Sequence, residues 1–153
     1  TEYDSDATSD TTVGNTDGVT TYYEHETGVN QIKAGSATAI AASIESGDFD
    51  ISAAQGGGAD LRGDGEYIMK IRRVLPDFLQ QTGDARVTLN LKNYPTDAQA
   101  SSSLGPFTTT TSTDKIDTRA RARAIALKVD NTSTDQHWKL GTFRLDIQAD
   151  GRR

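Results

Sequence analysis

The residues whose types and spacing suit chemistry fall into a few short stretches. Asp60-Leu61-Arg62-Gly63-Asp64-Gly65-Glu66 gathers three carboxylates among glycines. Calcium takes oxygen ligands from turns of this kind, but the spacing is not that of an EF-hand loop. Gly and Asp also meet in turns because both tolerate tight backbone geometry. In Glu24-His25-Glu26 only the two glutamates converge on a strand, since neighbouring side chains point to opposite faces. Glu45, Asp48 and Asp50 are carboxylates of the type that pair in glycoside hydrolysis, where their separation in space decides the chemistry. His137 sets a base beside the Trp138 ring without a nucleophile partner, and a Trp at a strand start is typical of core or interface packing. No nucleophile elbow, phosphate-binding loop or metal-ligand helix is present, so neither an enzyme nor a cofactor is expected.

Arg119, Arg121 and Arg123 alternate along one face of a candidate strand. Guanidinium forks match phosphates and carboxylates alike. The acidic chain, with its net charge of −6 and no aromatics between these arginines, favours carboxylates of a neighbouring subunit. Arg119, Arg121 and Arg123 are therefore expected in inter-strand or inter-subunit ion pairs, and together with Trp138 they are the candidate inter-subunit contacts.

The elements that must position these residues read as strands. Tyr67, Met69 and Ile71 share one face before a break at Pro76. Val87, Leu89 and Leu91 alternate with Arg86, Thr88, Asn90 and Lys92, a half-buried strand ending at Asn93-Tyr94-Pro95. Ile125, Leu127 and Val129 continue the arginine parity. Phe143, Leu145 and Ile147 face inward in the last strand, with Leu140 on the opposite parity and a bulge expected at Gly141. Residues 31 to 45 fit a helix or a strand equally. A short strand is expected at 49 to 51, and another at 20 to 23. Residues 96 to 118 are too polar and aperiodic for core and read as an exposed arm or loop.

Leu, Ile, Val and Phe make up 28 of the 153 residues, below the roughly one-fifth at which a solitary core becomes hard to build. Twenty-one threonines and 14 glycines favour strands and turns over helices. The expected fold is all-β: antiparallel sheets, as a β-sandwich or the closing part of a β-propeller, with four to six strands and long polar loops. Residues 1–30 read as a polar acidic linker or loop region, and 31–153 as the β-rich domain.

Charge is segregated along the chain. Residues 1–66 carry a net −11 and residues 67–153 a net +5. Such separation suits subunits that meet by opposite potentials, or a solvated acidic tail on an ordinary domain. The chain opens on Thr1 with acidic residues where a signal peptide carries basic ones, and reads as the C-terminal piece of something longer. Cysteine is absent, and no apolar run reaches the length of about 18 residues that a membrane helix needs.

Four stretches in order, IESGDFDI at 44–51, IRRVLPDF at 71–78, RARARAIALKV at 119–129 and WKLGTFRLDIQADGRR at 138–153, resemble the C-terminal region of tail proteins of short-tailed bacteriophages. That family is described as tail tubular protein B, tail nozzle or packaged-DNA stabilisation protein. The resemblance covers about residues 40 to 153. It departs at Ala120 and Ala122, where the family often has Gly, and gives no counterpart for Gly56 to Gly58 or the Thr-rich arm. It implies a β-rich subunit of a homo-oligomeric ring of about six copies in the virion, assembled in the host cytoplasm. Such a ring meets the tail adaptor and other tail proteins, retains packaged DNA, and passes the duplex at ejection without reading its sequence. A different reading of the residues is a β-sandwich that binds glycan or receptor through Tyr22, Tyr23, Trp138 and the Gly-rich loop.

Overall fold

The computed structural model describes residues 30–33, 36–51, 67–94, 98 and 100–152. The described residues form eleven strands and no helix. One antiparallel sheet runs in the order β3 (Ser43–Glu45), β9 (Ala124–Asp130), β6 (Ala85–Lys92), β7 (Ser102–Thr109). A second runs β11 (Arg144–Arg152), β4 (Tyr67–Leu75), β8 (Ile116–Ala122). Two further pairs join β5 (Phe78–Thr82) to β10 (His137–Leu140) and β1 (Asn30–Lys33) to β2 (Ser36–Ala39).

The two larger sheets face each other across one core. Met69, Ile71 and Val74 from β4 and Ile116, Ala120 and Ala122 from β8 meet Val87 and Leu89 from β6 and Ile125, Leu127 and Val129 from β9. Of the two architectures left open by the sequence, the described strands make the sandwich. The core is built from few large side chains, so small ones matter. The alanines of β8 let its sheet lie close to the opposite one, and burying each large aliphatic contributes about 1.5–3 kcal/mol.

Strand alternation holds where it was expected in β6, whose Val87 and Leu89 are fully buried, and in the last strand, whose Leu145 and Ile147, with Phe143 just before it, pack against the core. In β4 it breaks. Ile71 and Val74 both face inward although they lie three residues apart, because the ladders to β8 and β11 shift register around Arg72. Thr118, itself buried, donates its hydroxyl to the Ile71 carbonyl at this irregularity (2.8 Å).

The chain changes sheet at Arg123. In β8 the even-numbered residues point inward, whereas in β9 the inward set is Ile125, Leu127 and Val129. The run 119 to 129 is thus two strands around a bend, and the continuous parity in the sequence conceals it. The described part of 31 to 45 holds most of β1 together with β2 and β3, strand rather than helix. Phe49 makes an isolated bridge to Ile125 rather than a short strand of its own.

The segment 96 to 118 departs from expectation most. It contains β7, a full edge strand paired with β6, and the buried start of β8. Its inward residues, Leu104 and Phe107, flank Gly105-Pro106 at a spacing of three, where the register to β6 shifts. Gly105 has φ +114, and a Cβ there would lie 2.8 Å from the Val87 carbonyl oxygen. The expected strand at 20 to 23, like the rest of 1 to 29, lies outside the described residues.

β4–β5 and β10–β11 form one long antiparallel ribbon with a shared bend. Pro76-Asp77 interrupts one strand and residues 141–143 the other, a three-residue break larger than the single bulge expected at Gly141. At the bend the Gly141 N–H donates to the Asp77 carbonyl (2.8 Å), and a Cβ on Gly141 would sit 2.5 Å from that oxygen. Gly141→Ala is expected to destabilise the fold by about 1–3 kcal/mol, as overpacking against fixed backbone does. Gly47→Ala, with nothing within 4 Å of the added methyl, should change stability by less than about 0.5 kcal/mol. Urea midpoints of the two variants check this; equal midpoints would refute the reading of the bend.

Candidate functional site

The outer face of the β11-β4-β8 sheet carries a close set of charged side chains. The register sets Arg73 between Asp146 and Asp117, and the next outward row sets Lys70 between Gln148 and Arg121. Arg73 Nε lies 3.7 Å from Asp146 Oδ2 and 3.9 Å from Asp117 Oδ1, within ion-pair range and beyond hydrogen-bond range. That nitrogen is enclosed and makes no hydrogen bond. Lys115 adds a contact to Asp117 at 3.3 Å. All these side chains are substantially exposed, so each pair contributes only about 0.2–1 kcal/mol.

Of the candidate contact residues, Arg119 and Arg121 stand on this face, both exposed. Arg121 is held within the chain: its Nε lies 2.6 Å from Asp150 Oδ2, and an Nη donates to the Asp150 carbonyl at 3.3 Å. Arg119 has no ion-pair or hydrogen-bond partner among the described residues. Arg123 is separated from them by the bend, where its backbone N–H donates to the Lys92 carbonyl (3.0 Å) and its side chain is half-buried.

Trp138 sits on β10 with its ring edge-on to Phe78, centroids 6.5 Å apart. Its indole N–H donates to Asn131 Oδ1 at 3.0 Å. This places Trp138 as a packing residue at the core's margin. Asn131 is the residue that sequence reasoning missed, since an Asn after a strand reads as a loop residue. It is 3% exposed and joins three elements. Oδ1 also accepts from the Ala42 N–H (3.2 Å), Nδ2 donates to the Ile40 carbonyl (3.1 Å), and the backbone N–H donates to the Ala42 carbonyl (3.1 Å).

Two of the carboxylates considered for hydrolysis are engaged by side chains of one strand. Glu45 accepts from Asn90 Nδ2 at 2.7 Å, and Asp48 pairs with Lys92, both partners being on β6. Asp130 similarly takes Arg86 at 2.6 Å and Lys128 at 3.7 Å. These contacts tie β3 and the segment after it across β9 to β6. His137 is exposed opposite Thr82. Glu24-His25-Glu26 and the 60–66 cluster lie outside the described residues. Among the described residues no group of three His, Cys, Asp or Glu is placed to hold a metal, and no helix is long and apolar enough to cross a membrane.

An open groove of about 420 Å³ lies where the two sheets part, between Ile44 and Phe49 on one side and Phe143 and Leu145 on the other, floored by Leu127 and Val129. Its polar members are already engaged. Ser46 Oγ accepts from the Leu127 N–H (2.9 Å) and donates to the Gly47 carbonyl (2.9 Å), while Glu45 reaches Asn90. The rest of the groove's lining is apolar.

No protein-family model matches the chain, and no curated protein matches it. What the described residues define is an all-β sandwich whose distinctive surfaces are a charged sheet face and an apolar groove.

Asn131→Ala strips partners from the Trp138 N–H, the Ala42 N–H and the Ile40 carbonyl at once. A loss of about 2–4 kcal/mol is expected, since each stranded buried polar group costs about 1–3 kcal/mol less whatever water recovers. Denaturant unfolding followed by Trp138 fluorescence measures it, and the native emission should shift as the indole N–H loses its acceptor. A change below about 0.5 kcal/mol would show the Asn131 network to be dispensable.

Proposed function

We propose that this chain is a structural subunit of a bacteriophage tail: part of a nozzle or tail-tube ring that retains packaged DNA and forms the channel for its ejection. The observation that carries this reading is how the four resembling stretches relate in space. Residues 44–51 pair with 119–129 through Ile44↔Val129, Glu45↔Lys128 and the Phe49↔Ile125 bridge. Residues 71–78 pair with 138–153 through Phe78↔Leu140 and Leu75↔Arg144 onward. Stretches whose paired residues lie as many as 85 positions apart, Ile44 and Val129, are thus strand partners, so the resemblance follows the framework of a sandwich.

Rings are built from heterologous contacts, in which one surface meets a different surface next door. A chain with an acidic first part and a basic second part suits that geometry, and its duplex cargo passes without any sequence-reading element. Acidic residues of the first part lining the channel would repel DNA and keep it from sticking.

Sedimentation of the protein across a salt series tests the reading. A discrete ring of about six copies that dissociates as salt rises is expected, because exposed charge pairs weaken as the Debye length shortens. Arg121→Glu is expected to lower the assembled fraction. A monomer at every concentration and salt counts against the ring, and unchanged assembly of the Arg121→Glu ring would remove Arg121 from its interface.

A further inference from the structure

The charged outer face of the β11-β4-β8 sheet lacks a matching set of acids on its own strands. Lys70, Arg73, Arg119, Arg121 and Arg144 point outward by register, and Arg72 is exposed at the irregularity beside them. Against these six cations stand three carboxylates, Asp117, Asp146 and Asp150. The same chain holds seven carboxylates between Glu2 and Glu26 and no Lys or Arg there.

We propose that this basic sheet face is the docking surface for the acidic segment 2–26 of a neighbouring copy. The placement on a neighbour rests on the ring reading above; the pairing of face and segment rests on charge and spacing. In an extended segment, Glu2, Asp4 and Asp6 recur on one side every second residue, about 6.6–6.8 Å apart. Arg119 and Arg121 recur on β8 with the same period, so one carboxylate of the segment meets Arg119 while the next approaches Arg121, which it shares with Asp150. Arg119 is the cation on β8 left without a partner among the described residues, and it is the one an incoming carboxylate finds free. The three carboxylates interspersed on the face disfavour a continuous phosphate backbone and suit a peptide whose charges come at intervals. Contacts of this kind set partner choice and association rate through complementary potential.

The test uses light and heavy isotope-labelled full chain, mixed in equal amounts at low salt and treated with a zero-length carbodiimide, which joins carboxylate to amine. Peptide mass spectrometry then reads links from Lys70 and Lys115 to carboxylates of residues 2–26. Such links are expected, about half of them joining a light to a heavy peptide, as random neighbours in a ring require. They should fall several-fold at high salt and in Arg119→Glu, whose far-UV circular dichroism should match that of the parent chain. Links confined to one isotope would place the segment on its own chain and overturn the proposal. An assembled ring without these links overturns it while leaving the ring reading intact, and a monomer without links overturns both. Binding of a duplex oligonucleotide that is lost in Arg119→Glu, with no links formed, would assign the face to nucleic acid instead.

Discussion

The fold depends on a single close approach of two backbones. Where the ribbon of β4–β5 and β10–β11 bends, the Asp77 carbonyl and the Gly141 amide meet with no room for a side chain between them. That contact lets two strands turn together and remain paired on both sides of the turn. Phe78, Trp138 and Leu140 are thereby folded back against the core, and Phe78 also meets Phe143 edge-on at 6.1 Å.

A second constraint is the shortage of large aliphatics. The core is completed by alanines on β8, by threonines whose hydroxyls are used up internally, and by a buried asparagine. Thr109, fully buried, donates to the Ala85 carbonyl at 2.9 Å, and its own carbonyl accepts from Gln81 Nε2 at 2.7 Å. Polar side chains that satisfy their hydrogen bonds inside can stand where a larger domain would place leucine. The apolar groove marks where this economy runs out, since the sheets part there and Ile44 is left half exposed.

Much of this was legible in the residues wherever one strand keeps one face inward. Strand β6 and the run from Phe143 to Ile147 could be read directly, because strict alternation survives from end to end. It was lost where the backbone changes the count. Arg72 shifts the parity of β4, Gly105-Pro106 spaces Leu104 and Phe107 by three, and the bend at Arg123 exchanges the inward set with no sign in the alternation. Residues 119 to 129 therefore looked like one strand that is basic at one end and apolar at the other. The candidate site was legible only as chemistry. Arg119 and Arg121 could be assigned to one face, but that Arg121 is held by Asp150, or that Glu45 and Asp48 serve Asn90 and Lys92, follows from strands brought together over long sequence distances. Asn131 carried no signal at all, because its role exists only once Ala42, Ile40 and Trp138 surround it.

The outer margins of the two sheets have a consequence for how copies of this chain can pack. β3 offers only three residues of free margin, and β7 is interrupted by Pro106, which has no amide hydrogen to give. β8 bears arginines, and β11 carries irregularities along its length. These are the devices by which natural sheets refuse to template further strands, which keeps them from growing into amyloid-like stacks. Among the described residues, the margins of these two sheets thus offer little for a further strand to pair with, and what they present outward is side chains on their faces.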